Sequence, residues 1–413
     1  MADSVTRVTR QSWGSRIGGA LKGIIVGAVL VALAFWLLFW NEGRAVKRHK
    51  ALNEGSGAVV TVDANRVDPA NEGQLVHMTG MTEPSKMLSD GDFGVVAEAI
   101  HLQRQVEMYQ WKESSSSKTK KKVGGGTETT TTYSYSKGWS DQLIDSRSFE
   151  EPSGHRNPTS MPYGSRRFTA PQVTVGAFRL SPSLIGRIDD WEDLPVQSSG
   201  LLPASLQGRA RLDGGSIFLG ANPSSPKIGD LRISFRQVRP TTVSFASQQV
   251  GDTFAPYKTR TGSVELLQTS AATAQELFDA AKQANKVLTW ILRVAGFILM
   301  GVGFLLVFRV FSVLADVLPI LGNLAEAGLG FFSFALAAML SLGTIAVAWF
   351  FYRPLLAIGL FLLAGGAAFA AYRAVKKARG RTAAVPPPPP PPSAPPPPPP
   401  SASLPPLPTA EGG

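Results

Sequence analysis

The sequence has no cysteine among its 413 residues and only four histidines, which lie far apart. Without cysteine, the chain can form no disulfide bond, no thiol nucleophile and no thiolate metal site. The histidines form no His-x-x-x-His or His-Glu-x-x-His pair, and no Walker loop, dinucleotide fingerprint or Gly-x-Ser-x-Gly turn is present. We therefore expect no catalytic residues, no bound metal and no cofactor.

Charged residues are also scarce, at 17% of the chain, and four long stretches contain none. These stretches are residues 24–40, 294–308, 328–352 and 355–372. About 20 apolar residues in a helix cross the hydrocarbon layer, a length that each stretch reaches with its flanks. The alternative, four buried helices of a soluble protein, is disfavoured because lysine and arginine flank the stretches.

The chain is therefore predicted to be an α+β membrane protein with four transmembrane helices. One helix precedes a large, mainly-β extramembrane domain, and three follow it. The predicted order is a basic tail (1–18), the first span (19–40), the β-rich domain (41–270), an amphipathic helix running into the second span (271–310), a loop (311–327), the third and fourth spans (328–352 and 355–372), and a basic, then polyproline tail (373–413).

The region between the first two spans has the short apolar runs of β-strands, separated by turn residues. Residues 103–111 and 131–139 alternate in polarity and predict two antiparallel strands. Between them, residues 113–132 are rich in Ser, Lys, Gly and Thr, which predicts a mobile hairpin tip. After these strands, the hydrophobic pattern changes to that of a helix. Thr273 and Glu276 fit a capping box, which predicts that the helix begins there.

The formal net charge of +11 arises mostly from basic residues that flank the spans. A nucleic-acid surface would need basic residues clustered on a folded domain, so nucleic-acid partners are disfavoured. Short basic loops stay in the cytoplasm, which predicts cytoplasmic N- and C-termini and an extracytoplasmic domain. Four basic residues just after the first span oppose this orientation, namely Arg44, Lys47, Arg48 and Lys50.

Two features of the spans indicate contacts between helices. Gly19, Gly23 and Gly27 form small-x-x-x-small steps at which another helix can approach closely, within the chain or in a homo-oligomer. The alternative is the ordinary glycine content of membrane helices. Arg309 and Asp316, seven residues apart, would either pair within the membrane or extend to an interface.

The C-terminal tail contains two long proline runs, at 386–392 and 395–400. Such runs adopt polyproline II without internal hydrogen bonds or a core. The tail is either a disordered cytoplasmic spacer, which its composition favours, or a ligand for an aromatic-lined groove of a cytoplasmic protein.

Several short motifs also occur along the chain. Their residues that we single out are Asn41, Glu42, Gly43 and Arg44 after the first span, Glu107, Tyr109 and Trp111 in the first predicted strand, Gly154, His155, Asn157 and Pro158, Gly229 and Asp230, and Arg353 and Pro354 at the last hairpin. These motifs resemble the LUMA (transmembrane protein 43) family, in order and over about residues 20–375. The extended hairpin tip and the polyproline tail depart from the family pattern.

The resemblance implies a membrane scaffold. Animal members of the family are inner nuclear membrane and endoplasmic reticulum proteins that self-associate and bind lamins and emerin, with the large domain in the lumen. The composition favours a bacterial member located in the cell membrane, to which lamin or emerin binding would not transfer. No catalytic residues are established for the family, so the resemblance supplies none.

Two functional hypotheses follow. The first is a non-enzymatic scaffold in the lipid bilayer that homo-oligomerises and recruits membrane or cytoplasmic proteins. The second is a membrane-anchored sensor or enzyme whose outer domain binds a small ligand or lipid through Glu107, Tyr109, Trp111, His155 and Asn157. Convergence of these side chains around one pocket would favour the second hypothesis, whereas a structural role on a sheet face would remove it.

The charge distribution makes a direct prediction about sidedness. A reporter fused after Lys286 should be extracytoplasmic, and one fused after Arg381 should be cytoplasmic, as measured by protease protection in intact membranes. The reverse pattern would overturn the predicted orientation.

Overall fold

The computed structural model describes residues 3–197, 202–204, 206–316 and 319–355, with only the backbone of 319–326, and scattered residues between 358 and 376. The predicted fourth span at 355–372 and the tail at 373–413 lie largely outside the described residues. The four α-helices of the described part are α1 Trp13–Ala58, α2 Pro182–Ile185, α3 Ala274–Ala315 and α4 Pro319–Tyr352.

Three of these helices, α1, α3 and α4, are long and apolar enough to cross a membrane. They expose large apolar side chains, including Ile25, Trp36, Ile291 and Phe331. A water-soluble protein would bury such a surface, whereas lipid solvates it. The first three predicted spans coincide with these helices.

The helices are longer than the sequence predicted. Helix α1 continues beyond residue 40 to Ala58, because Ala51 and Leu52 at its far end are buried against the domain with Leu75 and Phe278. The predicted loop at 311–327 is mostly helical, since α3 ends at Ala315 and α4 begins at Pro319. The predicted capping box of α3 is confirmed, with both reciprocal hydrogen bonds between Thr273 and Glu276.

The domain is rich in short strands. Two short 3₁₀ helices, Pro69–Asn71 and Ser146–Ser148, lie between them. The strands of the described part are β1 Ser4–Gln11, β2 Val60–Thr61, β3 Leu75–Pro84, β4 Leu88–Asp90, β5 Val95–Ala97, β6 His101–Lys121, β7 Thr127–Ser140, β8 Arg166–Thr169, β9 Val173–Val175, β10 Phe178–Arg179, β11 Glu192–Asp193, β12 Ala210–Asp213, β13 Ser216–Leu219, β14 Leu231–Val238, β15 Thr242–Val250, β16 Thr253–Ala255, β17 Tyr257–Thr259, β18 Gly262–Val264 and β19 Leu266–Gln268.

Two larger sheets organise these strands. The first has the order β1-β7-β6-β14-β13-β12, with β8 beside β6 and β11 beside β14. The second has the order β10-β9-β3-β15-β16, with β2 beside β3 and β19 beside β15. Two hairpins, β4–β5 and β17–β18, complete the described strands.

The main core lies between the inner faces of these sheets and includes Phe93, Ile100, Val106, Phe235 and Phe245, all nearly inaccessible to solvent. From Leu102 to Trp111 of β6, even-numbered residues are buried and odd-numbered ones are half exposed. This alternation confirms the prediction that Val106 lies on the face opposite Glu107.

Most of the segment 113–132, predicted to be a mobile hairpin tip, lies in β6 and β7, and residues 122–126 form the turn between them. Strands β6 and β7 stay paired in register from Met108–Ser140 to Lys121–Thr127. The N-terminal segment, predicted to be only a basic tail, adds β1 to β7 from Ser4–Ser134 to Gln11–Thr127. A segment rich in Thr and Ser is usually mobile when it has no partner strand, but threonine has a high propensity for a paired β-strand.

The length of this hairpin brings together two segments that the charge argument put on opposite sides of the membrane. A strand of 21 residues spans about 70 Å, close to the length of a 46-residue helix, about 69 Å. The hairpin end therefore reaches the N-terminal end of α1, where Arg16 donates a hydrogen bond to the carbonyl of Gly125 at 2.5 Å.

The pairing of β1 with β7 can be tested by cross-linking, because the natural chain has no cysteine. The double variant Thr6→Cys with Thr132→Cys should form a disulfide under mild oxidation, since these residues are directly opposite. Non-reducing electrophoresis after cleavage between the two sites would detect the bond. The control pair Thr6→Cys with Thr129→Cys, three residues out of register, should form little; equal yields in the two variants would contradict the pairing.

Candidate functional site

A buried charge cluster joins the three long helices at the end nearest the domain. The carboxylate of Glu42 on α1 is fully inaccessible to solvent. It accepts two hydrogen bonds from Arg293 on α3, at 2.7 Å and 2.9 Å, and one from the indole N–H of Trp349 on α4, at 2.8 Å. One side chain of α1 therefore binds both of the other helices.

The neighbouring motif residues extend this cluster. The amide of Asn41 donates to the carbonyl of Thr289 at 3.0 Å. Arg44 donates to the side chains of Asn285, Asn41 and Thr289 at 3.0–3.1 Å. At Gly43, the ring of Tyr352 lies where a Cβ would be, so that a larger residue would have to displace this ring.

The physical role of this cluster is to fix the relative position of the helices. A buried carboxylate is costly without partners, and here both of its oxygens have charged or N–H donors. Sliding one helix by a turn would separate Glu42 from Arg293 and leave two charges unpaired in a region of low dielectric constant. The cluster therefore selects one register among many that apolar packing alone would allow.

Comparison with known proteins places these features in a family. The family described as "Transmembrane protein 43" matches residues 108–354. Transmembrane protein 43 of Rattus norvegicus is 36% identical over 372 residues, which cover 87% of this chain and 92% of the rat protein. The human protein is also 36% identical, over 85% of this chain and 88% of its own length. The chain belongs to the transmembrane protein 43 family.

More distant relatives extend the match beyond vertebrates. The "Transmembrane protein 43 homolog" of Drosophila melanogaster is 29% identical over 83% of this chain and 92% of its own length. No solved structure matches the chain. Within the transmembrane protein 43 match, Arg293 and Trp349 fall inside residues 108–354, while Glu42 precedes them. The predicted bacterial source stays a prediction from composition.

A second group of motif residues lies where β6 leaves the domain. The indole of Trp111 meets the ring of His155 edge-on at 4.7 Å between centroids, and His155 stacks on Tyr135 at 3.9 Å. The side chain of Asn157 accepts from the N–H of Trp111 at 2.7 Å and donates to its carbonyl at 3.0 Å. Asn157 thus pairs with the free edge of β6 as a neighbouring strand would.

Two titratable groups of this aromatic cluster have shifted pKa values. Burial, followed by the hydrogen bond to Glu113, raises the pKa of Tyr135 to about 12, so that its hydroxyl remains a donor. Burial acts to lower the pKa of His155, but its bonds to the carboxylate of Asp3 and the carbonyl of Glu151 outweigh it and raise the pKa above the ordinary value. Asp3 immediately precedes β1, so this cluster anchors the N-terminal strand.

Glu107 and Tyr109 point to other partners on the same face of β6. Glu107 pairs with Arg232 at 2.7 Å, and Arg232 in turn covers the ring of Trp139. Tyr109 meets the ring of Trp139 edge-on at 5.3 Å. Of the five residues proposed as a ligand site, Trp111 contacts His155 and Asn157, whereas Glu107 and Tyr109 contact Arg232 and Trp139 instead. All five thus have partners within the domain, which favours a structural role.

The remaining motif residues shape turns. Gly154 and Gly229 adopt φ values of +81° and +96°, which favour glycine, and Pro158 packs 3.4 Å from where a Cβ of Gly229 would lie. The N–H of Tyr109 donates to the carbonyl of Asp230 at 2.8 Å, which continues the ladder of β6. Arg353 caps the end of α4 with a backbone bond to Trp349 at 2.7 Å, and Pro354 follows it.

The predicted glycine steps lie on α1 but differ in their surroundings. A Cβ on Gly27 would lie 2.5 Å from the carbonyl oxygen of Gly303, so α1 and α3 touch there backbone to backbone. A Cβ on Gly23 would lie 3.6 Å from the carbonyl oxygen of Leu306, an ordinary contact. Nothing among the described residues lies within 4 Å of a Cβ on Gly19. The close approach is thus between helices of the same chain.

The predicted pair of Arg309 with Asp316 is replaced by other contacts. Asp316 pairs with Arg16 at 2.5 Å and with Lys121 at 2.8 Å. Seven residues of helix separate Arg309 from Asp316 by about 10 Å along the axis, whereas α1 and the hairpin end lie beside Asp316. Asp316 therefore joins three segments that are distant in sequence.

The sequence pattern did not identify Arg293 as the partner of Glu42, nor Thr289 and Asn285 as the partners of Arg44. A signal for Arg293 was present, because it is an isolated charge at the edge of an apolar stretch and such a charge needs a partner. No local pattern marked Tyr135, Glu113 or Lys121, whose roles depend on how the hairpin meets other segments.

The buried ion pair predicts a large effect of a small substitution. Glu42→Ala should destabilise the helix bundle by about 3–5 kcal/mol, because it leaves the guanidinium of Arg293 buried and unpaired. The double variant Glu42→Leu with Arg293→Leu should recover most of the loss. The measurement is thermal unfolding in detergent, with Glu54→Ala as the control, because Glu54 is a half-buried carboxylate of α1 whose partner Arg260 is exposed. A single variant no less stable than this control would contradict the role of the cluster.

The raised pKa of His155 predicts how docking of β1 depends on pH. Protonated His155 is favoured in the docked state, so docking is strongest below the ordinary pKa of about 6.5 and weakens as the pH rises through the raised value. Hydrogen-exchange protection of residues 4–11, corrected for intrinsic rates, should fall between pH 6 and pH 8.5. The His155→Gln variant should lose this dependence; an identical slope in both proteins would argue against it.

Proposed function

We propose that the protein is a non-enzymatic integral membrane scaffold that self-associates through the sheet β1–β7–β6 and recruits other proteins. The observation that carries this proposal is the position of that sheet. It leaves the domain near Trp111 and ends beside Arg16 and Asp316, at the opposite end of the apolar stretch of α1.

The sheet is polar over this whole length. Residues 113–121 of β6 and 127–134 of β7 are Ser, Thr, Lys, Glu and Tyr, and β1 has only Val5 and Val8 as apolar residues. From Trp111 to Lys121, β6 extends about 33 Å, comparable with the hydrocarbon thickness of about 30 Å. Backbone and side-chain polar groups at that depth cannot face lipid, so they need water or protein as neighbours.

A second copy of the chain supplies a suitable neighbour. Strand β1 is the terminal strand of its sheet among the described residues. The N–H of Tyr135 donates to the carbonyl of Asp3 at 3.0 Å, which fixes the alternation of the ladder. By this alternation, the N–H groups of Ser4, Thr6, Val8 and Arg10 point away from β7. Two such edges can pair around a two-fold axis.

The orientation and partners are part of the proposal. The globular part of the domain would be extracytoplasmic, with its hairpin returning beside the helices to the cytoplasmic side. Recruitment of cytoplasmic proteins would fall to the polyproline tail. A bacterial protein of this kind would lie in the cell membrane, and a eukaryotic one in the endoplasmic reticulum or inner nuclear membrane.

The non-enzymatic part is supported by how the polar motif residues are used. Glu42, His155 and Asn157 each have protein partners for their side-chain polar atoms. The alternative of a ligand-binding sensor or enzyme is not favoured, because Glu107 and Tyr109 pack apart from Trp111, His155 and Asn157, and all five have partners within the domain.

Edge pairing can be tested with proline, which removes one N–H group. Val8→Pro should convert an oligomer into a monomer, because it blocks the outward edge and leaves the β1–β7 hydrogen bonds intact. Native mass spectrometry of the full chain in detergent would measure the subunit number. The conservative control Val8→Thr should assemble as the natural protein does.

Two results would contradict the proposal. One is a natural protein that is strictly monomeric at all concentrations. The other is a Val8→Pro variant that assembles normally while the Thr6→Cys and Thr132→Cys cross-link still forms in it.

A further inference from the structure

A cavity of about 380 Å³ opens where α1 leaves its apolar stretch and meets the domain. One wall is a single face of α1, and the opposite wall is formed by the turn between β17 and β18 and by the end of α4. The lining residues that matter here are Trp40, Arg44, Lys47, Arg48, Thr261 and Tyr352.

The cavity carries positive charge that nothing in its lining neutralises. Three of its residues are cations and none is a carboxylate. Among the described residues, none of the ion pairs involves Arg44, Lys47 or Arg48. The nearest acid in sequence, Glu42, is already paired with Arg293. An anion entering the cavity would therefore meet three cations and no carboxylate in the lining, although the charge of the buried Glu42 also acts on Arg44.

The two arginines are held in place before any ligand arrives. Arg48 donates to the carbonyl of Ser263 at 2.8 Å, and Arg44 is held by Asn285 and Thr289. The Nε of Arg44 is buried and has no hydrogen-bond partner among the described residues. Preorganised donors of this kind reduce the entropy lost on binding an oxyanion.

The cavity also lies at the level of a lipid headgroup. The uncharged stretch of α1 ends at Trp40, and Arg44 follows one helical turn later. The exposed rings of Trp36 and Trp40 stack at 5.8 Å on the lipid-facing side. Tryptophan and tyrosine prefer the membrane–water interface, which is where phospholipid phosphates are found.

We propose that this cavity binds the phosphate of an anionic phospholipid headgroup. A soluble phosphate compound has the same charged group. However, the exposed rings of Trp36 and Trp40, on the apolar side of the cavity, can contact the acyl chains of a lipid and have no counterpart in a soluble phosphate. The proposal also accounts for three of the four basic residues after the first span, which oppose the orientation that the remaining charges predict. It is independent of self-association.

The test is native mass spectrometry of the delipidated full chain with added phosphatidylglycerol, phosphatidylcholine or inorganic phosphate. The double variant Lys47→Gln with Arg48→Gln should weaken phosphatidylglycerol binding by about 30-fold, since each basic residue near an anionic surface contributes comparably. The control Lys50→Gln with Lys286→Gln removes the same charge from exposed positions near the same interface and should have little effect.

The outcomes separate the sources of the phosphate. Selective binding of phosphatidylglycerol that only the cavity variant loses supports the proposal. Equal binding of phosphatidylcholine, an equal loss in the control, or inorganic phosphate binding in the same concentration range overturns it. Should the double variant be misfolded by gel filtration, Lys47→Gln alone serves, because the exposed side chain of Lys47 supports no described hydrogen bond.

Discussion

The ion pair of Glu42 with Arg293 is the interaction on which the arrangement of the molecule depends. Apolar helices in lipid gain little by choosing one register over another, because lipid and leucine are equally apolar. A fully buried carboxylate with an arginine on one neighbour and an indole N–H on the other permits one register only. That register sets where α1 and α3 enter the domain.

The helices are connected to the domain by continuous helix and by packing, not by a flexible linker. Helix α1 runs unbroken to Ala58, and Leu52 and Phe278 pack together beneath the second sheet. Movement of the domain relative to the bundle would have to break this small core. The cationic cavity lies beside it, at the boundary between the lipid-facing and water-facing parts, where a bound headgroup would reinforce the same junction.

At the other end of the bundle, a second set of charges ties the hairpin to the helices. Asp316 is buried and pairs with Arg16 and Lys121. The indole of Trp13 donates to the carbonyl of Val313 at 2.9 Å. These contacts fix the positions of α1, α3 and the end of the hairpin relative to one another.

The sequence alone determined the parts that depend on local composition. Uncharged stretches identified α1, α3 and α4, alternation identified the faces of β6, and a capping box located the start of α3. The aromatic and polar motif residues were identified by their resemblance to a family, but the sequence did not reveal which residues they contact. These features follow from periodicity and from neighbours within a few residues.

Only the tertiary structure decided which distant segments meet. That the segment Ser4–Gln11 adds a third strand to the hairpin of β6 and β7 brings together residues more than 100 apart in sequence. The choice of Arg16 and Lys121 over Arg309 as partners of Asp316, and of Arg293 as partner of Glu42, likewise depends on three-dimensional proximity. A charge in a sequence shows that a partner is needed, but its identity depends on the folded positions of all the others.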